Sequence, residues 1–327
     1  MPAAERAASS ALVYQPANLN FTNEFLAGKH TSTVQYVPRG NKWGGAPSVG
    51  HTALIRNRCR RHQTSAIALS VETVQAPSIN QCVCYDLHST LVPYSTAWEW
   101  QKALVSQRHL ARSKGEEMAD AVLILQHPPV FTLGTRSSLE NLKFDKDHPP
   151  FELHVTERGG EVTYHGPGQL VVYPILDLRR QQTDLHWYLR SLEEVIILAL
   201  QDVCGIQAGR EPGLTGVWVG ESKVAAIGVR VSKWVTYHGL ALNVSNDLDP
   251  FKSIIPCGIS DRPVGSVKDL LQKDATNIGR SLVLESDSEL LDAFSSSLKI
   301  QLAKVFNLDL LERTTPDCLN ELSHLIH

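Results

Sequence analysis

The sequence contains no uncharged apolar run of the length that a membrane-spanning helix requires. Its most apolar helical stretch, residues 192–200, is interrupted by Glu193 and Glu194. A positive balance is missing as well, because the formal net charge at pH 7 is -3 and no basic stripe with interleaved aromatic residues follows residue 80. A protein that binds the phosphate backbone of a nucleic acid normally has a clustered basic surface. The sequence therefore excludes a transmembrane segment and predicts neither a nucleic acid nor a membrane as a partner.

Cysteine is too sparse and too scattered for a small disulfide-stapled domain. The histidines and cysteines lack the H-x-x-x-H and C-x-x-C spacings of metal sites. The G-x-S-x-G turn of many serine hydrolases is also missing. The scattered cysteines favour a reducing compartment, and the missing ligand spacings predict no metal site. The missing turn leaves a serine hydrolase only weakly supported. The six cysteines are Cys59, Cys82, Cys84, Cys204, Cys257 and Cys318.

Acidic residues are absent from residues 25–71, where lysine and arginine stand among serine, threonine, alanine and glycine. Organelle transit peptides have this composition. The alternative is a disordered basic tail that binds an acidic partner. We expect residues 1–80 to be a disordered organelle-targeting leader, cut somewhere between about residues 60 and 80.

The chain has 327 residues, of which 43% are apolar, and is long enough for one large domain or two small ones. Some predicted strands form hairpins and others lie next to helices, which favours a mixed sheet over a doubly wound parallel one. We predict an α/β (α+β) fold, a mixed β-sheet with flanking helices, over residues 81–315, followed by a C-terminal tail at 316–327. The patterns predict helices at 98–112, after Asp184 and after a capping box of Ser286 and Glu289, and strands at 121–125, 130–133, 169–173, 216–219, 223–231 and 235–244.

The most informative segment runs from Arg158 to Gln169 and packs four glycines, Tyr164 and His165 into one turn before a β-branched run. Glycines let the backbone approach a ligand closely, and Pro167 stiffens the turn. The glycine spacing differs from G-x-G-x-x-G and a strand follows, which excludes a dinucleotide-binding fingerprint. A Gly-Lys-Ser/Thr ending, which would mark a phosphate loop, is also missing. The segment therefore predicts a ligand-binding turn, hereafter the glycine turn.

Cys257 and Lys223 are candidates for chemistry outside this turn. Cys257 stands between a proline and a glycine, which suits an exposed nucleophile, although most unpaired cysteines are buried small hydrophobes. A thiol with an ordinary pKa of about 8.5 needs a nearby cation to supply thiolate at neutral pH. Lys223 is either that cation or a solvated charge at the start of a strand. His165 and His238 either position a substrate or are satisfied structural donors.

The order of these motifs resembles the lipoyl(octanoyl) transferase family, the octanoyl-[acyl-carrier-protein]:protein N-octanoyltransferases, in its plant plastid form. The similarity extends from Tyr85 to Leu311. Several separated motifs in the right order are more specific than any one of them. The motifs are residues 126–134, the glycine turn, Lys223 with 226–228, residues 238–241, Asn243 and residues 256–259.

The resemblance implies the fold of biotin and lipoate protein ligase catalytic domains and acyl transfer through a cysteine thioester. Cys257 would take an octanoyl group from octanoyl-acyl carrier protein, while Lys223 would lower the pKa of the thiol and transfer protons. The acceptor would be a lysine on an apo lipoyl domain of a 2-oxoacid dehydrogenase complex or of the glycine cleavage H protein. No cofactor is expected, because the incoming thioester is already activated, and the resemblance also implies a monomer. By position, substrate binding is assigned to Arg158, Gly159, Gly160, Glu161, Val162, Thr163, Tyr164, His165, Ala226, Ile227, Gly228, Gly239, Leu240 and Ala241.

Two other functions stay open at this point. An ATP-dependent lipoate or biotin protein ligase on the same fold would not need a thiol, and the Pro-Cys-Gly segment at 256–258 argues against it. A non-catalytic acyl-carrier-binding module would keep the pocket without turnover. We expect the plastid stroma rather than the mitochondrial matrix, because the leader is rich in serine and threonine without an amphipathic arginine helix. The likeness to plastid-type plant members favours the same location.

Overall fold

The computed structural model describes residues 80–258, 262–278 and 286–326. For Cys257 and residues 274–278 it describes the backbone alone. Apart from Asn80, the expected targeting leader lies outside the described residues, and so does its cleavage site. Ile259, the last residue of the cysteine motif, lies outside them too.

The described chain contains eleven β-strands and five α-helices. In chain order they are β1 (Gln81–Leu91), α1 (Tyr94–Ser113), β2 (Asp120–Gln126), β3 (Val130–Leu133), β4 (Glu152–Val155), β5 (Thr163–His165), β6 (Gln169–Ile175), α2 (Leu185–Cys204), β7 (Gly209–Glu211), β8 (Leu214–Val219), β9 (Ser222–Ser232), β10 (Val235–Asn243), α3 (Val267–Ile278), α4 (Asp287–Phe306), β11 (Asp309–Thr314) and α5 (Asp317–Ser323).

Eight of these strands form one mixed sheet in the order β11-β1-β2-β6-β10-β9-β8-β7. Strand β1 is parallel to its neighbours β2 and β11. The other neighbouring strands of this sheet are antiparallel. A second sheet has three strands in the order β4-β3-β5. The mixed sheet that the sequence predicts is thereby confirmed.

Helices cover both faces of the large sheet. Side chains alternate between the two faces of a strand, and β2 is buried at every position. Val122 and Ile124 belong to the core cluster that contains side chains of α2 and α4. Leu123 and Leu125 belong to the cluster with side chains of α1 and α5. The predicted α/β fold with flanking helices is therefore confirmed as a three-layer arrangement.

Capping residues determine where two long helices begin. The carboxylate of Asp184 accepts hydrogen bonds of 2.8 and 3.2 Å from two backbone N–H groups in the first turn of α2. Gly205 ends this helix in the left-handed conformation, with φ at 67°. Ser286 and Glu289 form a reciprocal capping box at the start of α4. Both N-terminal caps predicted from the sequence are confirmed.

Helix α1 begins four residues earlier than its apolar pattern predicts. It starts at Tyr94, directly after Pro93, rather than at Trp98. The polar residues Ser95 and Thr96 hide the first turn from a pattern based on apolar spacing. In the part of the chain that the structure describes, no helix has both the length and the apolarity needed to cross a membrane.

The C-terminal residues pack against the large sheet. We expected residues 316–327 to form a tail, but helix α5 lies within this segment. The side chains of Cys318 and Leu322 are fully buried in a cluster with Tyr85 of β1 and Trp100 of α1. Their spacing of four residues puts both on one face of the helix. The segment expected as a tail therefore contributes to the core of the domain.

Replacing Leu322 with alanine should lower the free energy of unfolding by about 2–4 kcal/mol, because it leaves a cavity in a closed cluster. Ile326→Ala, at a side chain that is 38% exposed, is the control. It should cost under about 1 kcal/mol. Urea unfolding followed by circular dichroism measures both variants. Equally small effects at the two positions would contradict the docking of α5.

Candidate active site

A pocket of about 390 Å³ lies where β9 and β10 meet the glycine turn. Volumes of roughly 300–1,000 Å³ are typical of small-molecule sites. The pocket brings together segments that are far apart in the sequence. Of the residues that the resemblance assigns to substrate binding or chemistry, its wall contains Arg158, Gly160, Glu161, Thr163, His165, Lys223, Ala226, Ile227, Gly228, Gly239, Leu240 and Ala241.

The two short segments on β9 and β10 lie side by side in this wall. Residues 226–228 pair in antiparallel register with residues 239–241, and Gly228 is opposite Gly239. A β-carbon built on Gly239 would lie 2.0 Å from the carbonyl oxygen of Val172 on β6. Such a contact is shorter than any non-bonded pair of heavy atoms tolerates, so only glycine fits there.

The glycine turn is anchored on β9. The N–H of Gly159 donates to the carbonyl oxygen of Val229 at 2.9 Å. A β-carbon on Gly228 would lie 2.8 Å from the carbonyl oxygen of Gly159. The two backbones therefore approach more closely than a side chain at position 228 would allow. This contact positions the glycine turn over the paired segments of β9 and β10.

The buried side chain of Arg158 holds the turn together. Its guanidinium donates to the carbonyl oxygen of Thr132 at 2.7 Å and to the hydroxyl oxygen of the same residue at 2.9 Å. It also donates to the carbonyl oxygens of Gly159 at 3.0 Å and of Glu161 at 2.8 Å. Charge-assisted hydrogen bonds of this kind are among the strong ones. Arg158 thus shapes the pocket wall in addition to lining it.

Three residues of the turn that the resemblance assigns to substrate binding lie outside the pocket wall: Gly159, Val162 and Tyr164. Val162 and Tyr164 belong to an apolar cluster around phenylalanine rings instead. Side chains alternate along an extended chain, so Thr163 and His165 face the pocket while their neighbours face the cluster. Burial raises the pKa of Tyr164 to about 12, which keeps its hydroxyl protonated. These residues support the turn from behind.

The turn that carries Cys257 reaches the same pocket. Residues Pro256–Gly258 form one turn of 3-10 helix, and Gly258 lines the pocket. A β-carbon on Gly258 would lie 3.7 Å from Cγ of Glu161, which is van der Waals distance. Asn141 links the two segments, because its carbonyl accepts the N–H of residue 255 at 2.8 Å and its amide donates to the Glu161 carboxylate at 3.0 Å. The backbone at Cys257 therefore lies beside the glycine turn.

Lys223 is the second residue of β9 and is 8% exposed. Its backbone N–H donates to the carbonyl oxygen of Pro263 at 2.9 Å, and its own carbonyl accepts the N–H of Gly265 at 3.0 Å. The ammonium nitrogen lies 5.7 Å from the centre of the Trp218 ring, and the side chain lines the pocket. Residues beyond the Cys257 turn therefore pair with the strand that carries Lys223.

Two buried histidines, His165 in the pocket wall and His127 beside it, are neutral at physiological pH. Nδ1 of His165 lies 2.7 Å from the amide oxygen of Gln169. The ring of His127 bonds to the carbonyl oxygen of Val92 at 2.7 Å and to the hydroxyl of Tyr173 at 2.8 Å. Burial lowers the pKa of His165 to about 3 and that of His127 to about 4. Both rings act as fixed hydrogen-bonding groups rather than as charges.

His238 also lines the pocket, but its ring differs from those two in its hydrogen bonding. Its side chain is almost fully buried, its φ of 55° is left-handed, and neither ring nitrogen has a hydrogen-bond partner among the described residues. A carboxylate oxygen of Glu157 is 3.9 Å from Nε2, which is beyond hydrogen-bonding distance. Burial lowers the pKa of His238 to about 4. Because an unpartnered buried ring is costly, the geometry favours substrate positioning over a satisfied structural role.

Replacing His127 with glutamine should flatten the acid limb of stability. The depressed pKa stabilises the fold fully above the ordinary histidine pKa of 6.5, and this stability is lost as the pH falls towards about 4. Each unit of pKa difference is worth about 1.4 kcal/mol. The parent should therefore lose about 2–3 kcal/mol more than His127→Gln between pH 7 and pH 4. Urea unfolding at a series of pH values measures this.

The control for this prediction is His148→Gln, at a side chain that is 84% exposed. This variant should follow the pH profile of the parent, because it removes no buried imidazole. Parallel profiles for the parent and His127→Gln would contradict the assignment of a neutral, depressed His127.

The pocket wall also contains residues that the sequence analysis did not assign. Gly213, with a φ of 79°, lies in the turn between β7 and β8, and Leu214 and Thr215 are the first two residues of β8. The dipeptide formed with Pro212 is a turn signal, but it says nothing about a ligand. Others reach the pocket only through the fold, namely Tyr94, Arg136, Val171 and Tyr173.

Comparison with protein families gives a match to the lipoyl protein ligase A/B catalytic domain over residues 93–279. A chloroplastic octanoyltransferase of Arabidopsis thaliana, LIP2p2, is 52% identical over 234 residues, which is 72% of this chain and 82% of the relative. An octanoyltransferase of Synechocystis is 52% identical over 206 residues, covering 63% of this chain and 88% of the relative. The family match includes all the pocket-lining residues named above.

Solved structures share the fold. A crystal structure of lipoate-protein ligase A bound with ATP matches with a TM-score of 0.53 at 16% identity, over 75% of this chain and 92% of that one. The structure of P. falciparum LipL1 in complex with lipoate matches with a TM-score of 0.50 at 11% identity, over 76% of this chain and 72% of that one. At these identities the similarity concerns the fold alone.

Proposed function

We propose that this chain, which belongs to the lipoyl protein ligase A/B catalytic domain family, transfers an octanoyl group from octanoyl-acyl carrier protein to a lysine ε-amine on lipoyl domains. Its curated relatives are named octanoyltransferases, and the chain is an acyltransferase of that group. One observation carries the proposal: the turn at residues 256–258 reaches the pocket that Lys223 lines. The turn that carries the candidate nucleophile and the side chain of the candidate cation thereby border one cavity.

In the first step, the thiolate of Cys257 attacks the thioester carbonyl of the octanoyl donor. A bond forms between the cysteine sulfur and the acyl carbon, the bond to the carrier's sulfur breaks, and the departing thiolate takes a proton from the Lys223 ammonium. A cation in the pocket also favours thiolate over thiol before the attack. The products are an octanoyl-thioester enzyme, a carrier thiol and a neutral Lys223.

In the second step, the neutral amine of the acceptor lysine attacks this thioester. A carbon–nitrogen bond forms, the bond to the Cys257 sulfur breaks, and the proton lost by the amine returns Lys223 to its ammonium form. The thiolate and the cation are restored together, so the enzyme is ready for another turnover. No ATP is consumed, because the donor thioester already carries the activation.

Backbone N–H groups of residues 226–228 are the candidates for stabilising the oxyanion of each step. Strand β8 pairs with β9 as far as Ala225, whereas β10 pairs with it beyond that residue. One edge of residues 226–228 therefore lies outside the β8 pairing, and all three residues line the pocket. Donors that are fixed before the reaction stabilise a developing negative charge without reorganisation.

An apolar part of the wall suits the octanoyl chain. Val171, Ile227 and Leu240 line the pocket from three neighbouring strands, β6, β9 and β10. Gly228 and Gly239 add no side chains there, so the backbone itself bounds the slot. An apolar slot with a few convergent polar groups at its mouth is the usual form of a small-molecule site.

For the acceptor we propose lipoyl domains of 2-oxoacid dehydrogenase complexes or of the glycine cleavage H protein, and for the enzyme a monomer in the plastid stroma. The location is supported by the name of the Arabidopsis relative and by the acid-free composition of residues 25–71. A fluorescent fusion of residues 1–80, imaged in plant cells, tests it. Fluorescence confined to mitochondria would establish the mitochondrial matrix instead.

Intact-protein mass spectrometry of an apo lipoyl domain tests the transfer itself. The domain is incubated with octanoyl-acyl carrier protein and this protein in the absence of ATP. We expect an octanoyl mass gain with the parent and none with Cys257→Ser. The matched control is Cys204→Ser, at the end of α2 and away from the pocket, which should retain the gain.

The same experiment separates the two alternatives. A mass gain that requires ATP and free octanoate would identify an ATP-dependent ligase, and the Cys257→Ser variant would then keep it. Donor binding without any mass gain under either condition would identify a non-catalytic acyl-carrier-binding module. Either outcome would replace the thioester mechanism.

A further inference from the structure

A carboxylate is buried in the middle of the apolar helix α2. Glu193 is fully buried, and a charge in such a position is costly unless it is paired and hydrogen-bonded. Its Oε2 atom accepts hydrogen bonds from Arg190 at 2.6 Å and from Arg210 at 3.0 Å. Its Oε1 atom accepts the backbone N–H of Gly216 at 3.0 Å. One buried acid thus connects α2 to a single peptide group of β8.

That peptide group belongs to a residue pressed against Lys223. Gly216 has a φ of 131°, which L side chains rarely adopt. A β-carbon there would lie 2.5 Å from Cε and 3.2 Å from Nζ of Lys223, and 2.7 Å from the carbonyl oxygen of Ala225. The lysine side chain therefore lies directly on the bare backbone of Gly216. The Trp218 ring, 5.7 Å from Nζ, lies further along the same strand.

The pairing of β8 with β9 is irregular at the same place. Val217 pairs with Ala225 but the next residue, Trp218, pairs with Lys223, so the register shifts between them. Irregularities of this type change the direction of a side chain relative to the sheet. Gly216 itself lies outside the pocket wall, which includes its neighbour Thr215 and the side chain of Lys223. The register shift therefore involves Lys223 itself, at the edge of the pocket.

We infer that Glu193 and Gly216 are positioning residues that together fix the Lys223 ammonium in the pocket. Glu193 holds the peptide of Gly216 through one hydrogen bond, and Gly216 provides the surface along which the lysine side chain reaches the cavity. This inference rests on the proposed function, in which Lys223 transfers protons to and from the reacting groups.

The test is Gly216→Ala, with Gly209→Ala as the matched control on the preceding strand. A β-carbon on Gly209 would meet no atom within 4 Å, so this variant should behave as the parent. We expect Gly216→Ala to lower kcat for octanoyl transfer about 10- to 100-fold with little change in KM for the donor. The pH at which Cys257 is half-alkylated by iodoacetamide, followed by peptide mass spectrometry, should rise because the cation has moved away.

A double-mutant cycle with Lys223→Met distinguishes positioning from general damage. If Gly216 acts through the lysine, Gly216→Ala should change kcat little further once Lys223 is methionine. The same loss in both backgrounds would overturn the inference. Glu193→Gln, whose amide oxygen still accepts the Gly216 N–H, should retain more activity than Glu193→Ala. Equal losses in these two variants would also overturn it.

The alkylation measurement does not depend on turnover. If the parent transfers no octanoyl group without ATP, the proposed function fails, but the half-alkylation pH of Cys257 still reports whether Gly216→Ala displaces the cation. If Gly216→Ala does not fold, the comparison of Glu193→Gln with Glu193→Ala carries the test. An unchanged half-alkylation pH in a folded Gly216→Ala protein would refute the positioning role.

Discussion

We expect the Lys223→Met variant to transfer octanoyl groups about 1,000-fold more slowly than the parent, within the usual range for loss of a general acid–base group. Methionine keeps an unbranched apolar stem that can pack in the space between Gly216 and Trp218, but it has neither a charge nor a transferable proton. The residual rate should rise as the pH is raised from 7 to 9, because the thiol must ionise without a nearby cation and an ordinary thiol has a pKa of about 8.5. Steady-state mass spectrometry over this pH range measures both effects.

Lys304→Met is the matched control, because Lys304 is an exposed residue near the end of α4 and does not line the pocket. It should transfer octanoyl groups at the parental rate at every pH. A Lys223→Met enzyme whose rate and pH profile stay within about twofold of the parent would remove Lys223 from the mechanism.

The Gly239→Ala variant should lose about 3 kcal/mol or more of folding free energy. The added carbon would meet the carbonyl oxygen of Val172 at 2.0 Å and Cδ of Pro174 at 2.8 Å. Both atoms belong to β6 in the middle of the large sheet, where neither strand can yield without breaking the pairing of β6 with β10. Urea unfolding, or the soluble fraction after expression if the protein no longer folds, measures the loss.

The comparison for this variant is Gly209→Ala, because a β-carbon at that position meets open space. It should remain within about 0.5 kcal/mol of the parent, as surface substitutions usually do. The resemblance assigns Gly239 to substrate binding, and the sheet offers a second reason for the glycine. A Gly239→Ala protein with parental stability but without octanoyl transfer would favour the substrate over the sheet.

The parts of the fold with a regular apolar pattern could be predicted from the sequence, and the others could not. Helix α2 combines the Asp184 cap with apolar residues at helical spacing, and its start is found at the predicted residue. The residues of β11 are only exposed or half-buried, so they do not form a regular apolar pattern from which the strand could be predicted. It is a strand because β1 offers a parallel partner, and a partner distant in the chain leaves no mark in a local window.

The candidate site shows a similar division. Motifs located the segments that line the pocket, but they could not show which side chains face it. Thr163 lines the pocket, whereas its neighbour Tyr164 packs into the apolar cluster behind the turn, and only the direction of β5 decides between them. The roles of Gly216 and Glu193 could not be predicted for another reason, since each depends on a contact that only the tertiary structure makes.

The parallel pairing of β1 with β11 has a consequence for how the chain folds during its synthesis. Parallel neighbours cannot be joined by a tight hairpin, and here the first described strand closes against the last one. Synthesis delivers the N-terminal end first, so the sheet stays incomplete until nearly the whole polypeptide has been made. During that interval the edge of β1 is bare and available to unwanted strands.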